Sequence, residues 1–289
     1  MHRRLFVRTY GCQMNELDSV LIRQALEEAG YVSVETPEDA DLIVVNTCSV
    51  RQKAEDKVWS DLGRFRGLRQ GGRTPLIGVA GCVARHKASE ILEGAPWIDL
   101  IFGPDAIADL PGLVERAERT GQPQVAVGIP DAADAPFLAQ RSVRPRQVSA
   151  FVTVMRGCDR YCSYCIVPYV RGHEASRPVD EVLDEVRGLV ARGVRDVTLL
   201  GQNVNSYGKR PALGVDFPGL LDQVAAVPGL ARLRFVTSHP HDCTPALMDR
   251  FAGLPALMPY FHLPLQSGSD DVLERMNRRY TAAEYLDKV

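Results

Sequence analysis

Three of the seven cysteines stand close together in one short segment, where they could bind a metal cluster. Cys158, Cys162 and Cys165 have the spacing C-x-x-x-C-x-x-C in a loop directly after a predicted strand. Three thiolates on such a loop can hold three irons of a [4Fe–4S] cluster, because these clusters are bound by cysteine thiolates. The fourth iron then stays open to a further ligand.

An open iron predicts a second cofactor. It can chelate the amino and carboxylate groups of S-adenosylmethionine, and an electron from the cluster can then break the C–S bond of that cofactor. The protein binds and orients the cofactor and excludes water from it. A structural zinc ion is the alternative, but zinc prefers four closed ligands, usually two matched cysteine pairs. No second pair lies near this loop in the sequence, so the spacing favours the iron–sulfur interpretation.

A second set of cysteines is dispersed along the first half of the chain. Cys12, Cys48 and Cys82 each follow a predicted strand. Ligands of an open parallel sheet bind beyond the carboxyl ends of its strands, so these three thiols can converge on one point. A single cysteine after a strand is usually a small buried hydrophobe, but three in equivalent places predict a shared metal site. We interpret Cys243, in a polar loop, as structural.

The elements that would position these cysteines alternate strand and helix in both halves of the chain. The first half predicts strands at 5–9, 41–46, 75–80 and 98–102 and helices at 16–29, 51–69 and 106–119. This pattern is typical of an open parallel α/β sheet. The second half predicts strands at 150–155, 196–200, 233–237 and 260–265, each followed by a helix, at 179–192, 217–227, 245–254 and 270–275. A βα series of this kind fits part of a TIM-like barrel.

A segment with three prolines separates the two halves. It predicts domains at 1–127 and 148–289 joined by a linker at 128–147. A length of 289 residues agrees with about two domains. The chain stops early in what reads as another helix, so we expect the barrel to be truncated at its C-terminal end.

Charge and apolar content limit the classes of partner. The net charge is −2 and the pI about 6.3, so RNA contacts would have to come from local patches. Two arginine groups are candidates, although a solvated charged surface is the simpler interpretation: Arg64, Arg66, Arg69 and Arg73, and Arg141, Arg144 and Arg146 in the linker.

The same composition argues against a membrane protein or an exported one. No apolar run approaches the roughly 20 residues that span a membrane, and the apolar stretch at the N-terminus ends at Arg8, too early for a signal peptide. An odd number of cysteines without an export signal argues against a disulfide scaffold. We therefore expect a cytoplasmic protein.

The motifs together resemble the methylthiotransferase family of radical-SAM enzymes along essentially the whole chain. In order, they are TYGCQMN, VNTCSVR, GC at 81–82, GCDRYCSYCIVPYVRG, LGQNVNSYG, SHP and HLPLQSGS. The resemblance implies a Rossmann- or flavodoxin-like N-terminal domain, followed by a partial radical-SAM barrel. It also implies that the last barrel strands and the C-terminal RNA-binding TRAM domain of full members are absent.

The resemblance also implies which residues serve the cofactors. Cys12, Cys48 and Cys82 would hold an auxiliary [4Fe–4S] cluster, and Cys158, Cys162 and Cys165 the radical-SAM cluster. S-adenosylmethionine would contact Tyr164, Gln202, Asn203, Gln266 and Ser267, and the substrate would contact Arg171. Polar residues after barrel strands are also often simple loop formers.

The reaction implied by the resemblance adds a methylthio group to carbon 2 of isopentenyl-adenosine next to the anticodon of tRNA. One S-adenosylmethionine gives a methyl group to sulfur on the auxiliary cluster, and a second is cleaved to a radical. The implied partners of a monomeric enzyme are the tRNA anticodon loop, a reductant such as flavodoxin or ferredoxin, and a sulfur donor. The alternatives are an aspartate of a ribosomal protein or threonylcarbamoyl-adenosine in tRNA as substrate, or a non-catalytic, metal-stabilised RNA-binding module.

Overall fold

The computed structural model describes residues 2–49, 52–70, 74–130, 136–210 and 213–289. The chain divides into two compact units, Met1–Leu138 and Ala139–Val289. The predicted linker at 128–147 spans this division, and its residues 131–135 lie outside the described residues. Within the described chain, none of the helices has the length and apolar composition that a bilayer crossing requires.

The first unit is built around a six-stranded parallel sheet in the order β2-β1-β3-β4-β5-β6. Its strands are β1 (Arg3–Tyr10), β2 (Tyr31–Ser33), β3 (Leu42–Thr47), β4 (Leu76–Gly81), β5 (Leu100–Phe102) and β6 (Gln124–Ala126). Its helices are α1 (Gln13–Glu28), α2 (Gln52–Gln70), α3 (Cys82–His86), α4 (Ala88–Gly94) and α5 (Leu110–Thr120). A 3₁₀ turn at Pro104–Asp109 replaces the start of the helix predicted at 106–119.

Burial explains which strands of this sheet the sequence predicted. Every residue of β3 is buried, as expected for a central strand covered by helices on both faces. Four strands were predicted from apolar runs. The edge strands β2 and β6 were missed, because each has only three residues and no continuous apolar run.

The second unit contains a three-stranded parallel sheet in the order β11-β10-β7 and a small antiparallel pair, β8-β9. Its strands are β7 (Ser149–Thr153), β8 (Met155–Arg156), β9 (Ala175–Ser176), β10 (Asp196–Leu200) and β11 (Arg232–Phe235). Its helices are α6 (Val167–Arg171), α7 (Val179–Ala191), α8 (Phe217–Ala225), α9 (Pro245–Gly253), α10 (Asp270–Arg275) and α11 (Ala282–Leu286). The predicted α/β fold class is confirmed.

The strand predicted at 260–265 is wrong. Among the described residues of this segment there is no strand, and the chain pairs with β11 only at an isolated bridge between Leu233 and Leu257. Leu233 donates to the carbonyl of Ala256 and accepts from the amide of Met258. Proline follows at 259 and again at 264, and proline has no N–H for a ladder. The segment at 260–265 therefore forms no ladder with β11 beyond that bridge.

Candidate metal centres

The register of the parallel sheet in the first unit brings the three dispersed cysteines to one edge. Tyr10, Thr47 and Gly81 are level at the ends of the adjacent strands β1, β3 and β4. Cys12 lies two residues past the first of these, and Cys48 and Cys82 lie one residue past the other two. Neighbouring strands are about 4.8 Å apart, so the register places all three cysteines at one edge of the sheet.

Two glycines let the cysteine-bearing turns approach each other. Gly11, at φ +133°, could not carry a Cβ, which would lie 2.6 Å from the Cβ of Cys48. Gly81, at φ +91°, would place a Cβ 2.5 Å from the carbonyl oxygen of Thr47. Both φ values lie in the region that favours glycine. The close contact at Gly11 shows that the turn before Cys12 packs directly on Cys48.

Two buried asparagines, Asn15 and Asn46, lie under these turns, and no sequence motif had assigned them a role. Asn46 donates through Nδ2 to the carbonyl of Asn15 and to Oγ of Ser19, both at 2.8 Å. Nδ2 of Asn15 donates to Oδ1 of Asn46 at 3.3 Å, and the thiol of Cys12 lies 3.4 Å from Oδ1 of Asn15. A fully buried asparagine inside the apolar run of β3 was the available signal, since buried amides must find partners.

The cysteine loop of the second unit is held from several elements. The amide of Gly157 donates to Oε1 of Gln202 at 2.6 Å, and the amide of Cys158 donates to the carbonyl of Gly172 at 3.1 Å. Nδ2 of Asn277 donates to the carbonyl of Tyr161 at 2.9 Å. The loop is thus held by the segments that follow β10, α6 and α10.

Burial governs the protonation of the thiols in this loop. It raises the pKa of Cys158 to about 12, and the charges of Glu174, Cys165 and Cys162 add to that effect. Burial likewise raises the pKa of Cys165. The thiols of Cys158 and Cys165 are therefore protonated at neutral pH without a metal, and binding a cluster would release their protons.

A buried arginine contacts the cysteine loop from the far end of the chain. Arg278 is only 4% exposed. One of its terminal nitrogens donates to Sγ of Cys162 at 3.4 Å and to Oη of Tyr164 at 3.3 Å, while Nε donates to Oη of Tyr280 at 3.2 Å. The guanidinium therefore places a positive charge beside the sulfur, where it would favour a thiolate and the negative charge of a cluster.

A network of buried polar groups occupies the carboxyl ends of β10 and β11. Asp242, whose side chain is 0% exposed, forms ion pairs with Arg160 and with Lys209, the latter at 2.6 Å. Its other oxygen accepts from Nδ2 of Asn203 at 2.8 Å. The same segment is bound through Asn205, which exchanges two hydrogen bonds of 2.9 Å with the backbone of His239. Arg160 belongs to the cysteine loop, so Asp242 ties that loop to the sheet.

Three polar atoms beside this network are buried and have no partner among the described residues. They are Oδ1 of Asn203, Oγ of Ser238 and Nε2 of His239. The ring of His239 accepts at Nδ1 from the amide of His241 at 3.2 Å, so its proton lies on Nε2. These atoms are an acceptor, a donor and a hydroxyl, the kinds of group that can bind an amino acid group.

The remaining residues predicted from the resemblance lie in varied surroundings. Gln202 uses Oε1 to hold Gly157, and Asn203 belongs to the buried network described above. Tyr164 is half exposed beside Arg278. Gln266 is exposed, and Ser267 accepts from the amide of Ser269 at 3.1 Å. Arg171 ends α6, with a partly buried side chain.

The arginines of the first group that the structure describes, Arg64, Arg66 and Arg69, contact other residues of the first unit. Arg69 donates to the carbonyls of Pro75 and Trp97 and pairs with Asp99. Arg64 pairs with Glu38 at 2.7 Å, and Arg66 lies over the ring of Trp97 at 4.6 Å. These contacts favour the structural interpretation of Arg64, Arg66 and Arg69, while Arg73 lies outside the described residues.

The buried imidazole of His239 predicts a pH dependence of stability. Burial, together with the charges of Arg278 and Arg160, lowers its pKa to about 3. The unfolded chain binds a proton near pH 6.5 and the folded chain does not, so this group costs stability as the pH falls below 6.5. The difference amounts to about 2 kcal/mol at pH 5. Urea unfolding measures the free energy of unfolding at pH 7 and at pH 5. Between these two values it should fall less for His239→Gln than for the parent, and an equal fall in both proteins would contradict the prediction.

Comparison with known proteins assigns both units to a family. The profile described as the uncharacterized protein family UPF0004 matches residues 4–103, and that of the radical SAM superfamily matches residues 152–289. A protein of Geobacter sulfurreducens named tRNA-2-methylthio-N(6)-dimethylallyladenosine synthase is 51% identical over 288 residues and covers 100% of this chain. The chain belongs to the radical-SAM methylthiotransferase family. The resemblance seen in the motifs is thereby confirmed.

Other relatives agree with this assignment. The protein of the same name from Nitrosomonas europaea is 49% identical over 99% of the chain. The chain spans 64% and 65% of the lengths of these two relatives. Among solved structures, the radical S-adenosylmethionine methyltransferase TsrM from Kitasatospora setae, with cobalamin and a [4Fe–4S] cluster bound, matches all of this chain and 66% of its own with a TM-score of 0.68 and 16% identity. At that identity the likeness supports the fold alone.

Family membership implies two [4Fe–4S] clusters and S-adenosylmethionine as cofactors, and the donor sets fit them. The first unit has three cysteines, and the second has three in one loop besides Cys243, whose sulfur contacts Met248. Three thiolates suit a cluster with one open iron. Among the described residues, no three His, Cys, Asp or Glu side chains surround a single metal ion. A cluster needs a wider arrangement, because each thiolate binds a different iron. The three polar atoms without partners fit the amino acid end of S-adenosylmethionine.

Proposed function

We propose that this chain is the catalytic part of a tRNA methylthiotransferase that modifies carbon 2 of isopentenyl-adenosine beside the anticodon. The observation that carries the proposal is the pair of cysteine trios, each at the carboxyl edge of a parallel sheet. The names of the relatives, which are about half identical to this chain, support the choice of substrate. The hydrogen at carbon 2 is bonded to an unactivated aromatic carbon, from which acid–base catalysis cannot remove it.

In this proposal the domain at 1–127 holds the auxiliary cluster through Cys12, Cys48 and Cys82. The domain at 148–289 holds the radical-SAM cluster through Cys158, Cys162 and Cys165. When bound, these cofactors supply a radical that removes the hydrogen, together with the sulfur and methyl group that replace it. The protein binds and orients the cofactors and the base and keeps water out.

Several side chains of the second unit would bind S-adenosylmethionine, each at a different part of the cofactor. Asn203 offers Oδ1 as an acceptor for the ammonium group of S-adenosylmethionine, and His239 offers Nε2–H to its carboxylate. Tyr164, Gln266 and Ser267 are proposed to lie near the adenosine, and Arg171 near the RNA. Gln202 acts by holding the amide of Gly157, which fixes the start of the cysteine loop.

The partners follow from the same chemistry. Electrons for the cleavage require a low-potential reductant such as flavodoxin or ferredoxin, and continued turnover requires a sulfur donor. The target base lies in a single-stranded loop, from which it can be splayed out into a pocket, as is usual in specific RNA recognition. We propose a monomer that works in the cytoplasm with these partners.

Replacing Cys158 with alanine tests the cluster assignment. After anaerobic reconstitution the parent should hold about eight irons and eight sulfides and Cys158→Ala about four, because each cluster has four irons. The variant should form no 5′-deoxyadenosine under dithionite. Cys243→Ala is the matched control, since that buried thiol contacts only Met248 among the contacts described for it, at 3.7 Å, and it should keep all the irons. Stoichiometric zinc without sulfide in the parent would overturn the proposal.

A further inference from the structure

Three aromatic side chains around the cysteine loop are exposed, and one of them, Tyr161, contacts the other two. Tyr161, Tyr169 and the side chain of His173 are 41%, 68% and 72% exposed. The ring of Tyr161 lies 6.3 Å from that of Tyr169 and 6.5 Å from that of His173, both edge to face. We refer to these three residues as the aromatic cluster. Exposed rings cost hydration free energy, so a contiguous group of them indicates a binding surface.

The aromatic cluster is fixed by the same contacts that hold the cysteine loop. Tyr161 lies between Cys158 and Cys162 and has a left-handed backbone, with φ of 48°. Its carbonyl accepts from Asn277 at 2.9 Å. Non-glycine residues seldom adopt this conformation unless the surroundings impose it, and such residues are concentrated at functional sites. The ring is therefore presented outward from a rigid loop.

Polar and cationic groups border the aromatic cluster. The ring of His173 is oriented by Asp159 at 2.7 Å, and Arg210 reaches the same carboxylate at 2.9 Å with a side chain that is 66% exposed. The aliphatic neighbours on α6, Pro168 and Val170, are buried. A surface of aromatic faces beside an exposed guanidinium offers stacking to a nucleobase and a positive charge to its phosphate.

We propose that the aromatic cluster is a stacking surface for an unpaired nucleobase of the RNA, next to the base that is modified. The inference rests on the proposed function and deepens it, because it assigns RNA contact to Tyr161 and Tyr169, which lie inside the motif GCDRYCSYCIVPYVRG and were given no role there. Stacking needs only the π-face of a base, so it would hold the loop open without reading its sequence. Arg210 would reach the adjacent phosphate.

The test is the affinity of the reconstituted chain for a synthetic anticodon stem–loop RNA that contains isopentenyl-adenosine. Tyr161→Leu and Tyr169→Leu should each weaken binding by about 10- to 100-fold, the range expected for loss of one stacked base. Tyr161→Phe and Tyr169→Phe should bind like the parent, because the ring remains. The slope of log Kd against log salt should be unchanged, since rings displace no counterions.

Tyr260→Leu is the matched control for loss of an exposed tyrosine. Tyr260 is 58% exposed and lies in a separate segment, three residues after the parallel bridge between Leu257 and Leu233. It should leave RNA affinity unchanged. The iron content of every variant should equal that of the parent, which shows that the cysteine loop is intact.

Several results would overturn the stacking surface. The first is an RNA affinity that is unchanged in both leucine variants, and the second is a changed salt slope in these variants. The third is a parent protein that does not bind the RNA. The fourth is a leucine variant that flavodoxin no longer reduces although its RNA affinity is intact. The last result would assign the surface to the electron donor. The proposed function is tested separately by 5′-deoxyadenosine and by the methylthiolated base. A parent that forms both while the leucine variants bind RNA normally would retain its function and lose only this surface.

Discussion

Replacing Asp242 with alanine is expected to lower the free energy of unfolding by about 3–5 kcal/mol, the usual cost of removing one partner of a buried ion pair. The carboxylate is fully buried and is shared by Arg160, Lys209 and Asn203. Its removal would leave the guanidinium of Arg160, whose side chain is 17% exposed, without its carboxylate. Chemical denaturation of the parent and the variant at neutral pH measures the difference.

A surface pair in the same unit provides the control. Arg250 and Asp222 form a two-point ion pair at 2.9 and 2.7 Å, with side chains 30% and 42% exposed. Such a pair contributes about 0–1 kcal/mol, so Asp222→Ala should change stability little. Equal losses in Asp222→Ala and Asp242→Ala would contradict the role given to the buried network.

The pH dependence of Asp242→Ala gives a second readout. Burial alone would raise the pKa of Asp242, but hydrogen bonds from Lys209 and Asn203 and the charges of Arg160 and Lys209 outweigh it and hold the pKa well below its usual range. A carboxyl with a lowered folded pKa stabilises the protein above its unfolded pKa of about 3.9 and loses that effect in more acidic solution. The difference between parent and variant should therefore be constant from pH 5 to 8 and shrink below about pH 4.

The placement of the proposed metal ligands at one edge of a sheet could be predicted from the sequence because it depends on strand ends. The apolar runs before Cys12, Cys48 and Cys82 mark three strands, and parallel strands all present their carboxyl ends at one edge of a sheet. Cys158, Cys162 and Cys165 needed only local spacing. These residues required no knowledge of which distant segments pack together.

The supporting residues could not be predicted because each depends on a distant contact. Arg278 is 116 positions from Cys162, and Asp242 is 82 positions from Arg160. Neither stands in a local pattern that distinguishes a buried ion from a surface charge. Gln202 shows the converse. The family resemblance implies a cofactor contact for this residue, and in the structure its oxygen accepts the amide of Gly157. Position on the sheet was predictable, but the partner of each polar group was not.

Replacing Gly157 with alanine is expected to prevent binding of the second cluster while leaving the first unit intact. Gly157 has φ of +72°, and a Cβ there would lie 1.9 Å from the carbonyl oxygen of His173. The backbone at 172–173 would have to move, and the hydrogen bond from Cys158 to Gly172 depends on it. The left-handed conformation alone costs about 1–3 kcal/mol for a residue with a side chain, and the collision adds to that cost.

Gly214→Ala separates the two contributions, because it shares the φ of +72° while no described residue beyond its chain neighbours lies within 4 Å of the added Cβ. Its free energy of unfolding should fall only by the cost of the left-handed conformation, about 1–3 kcal/mol, and it should keep about eight irons after reconstitution. Gly157→Ala should retain about four irons, all on the first unit, with no 5′-deoxyadenosine formed. A full iron complement in Gly157→Ala would show that the cysteine loop tolerates the displacement of 172–173. The contact between these two backbone segments would then not be what fixes the ligand geometry.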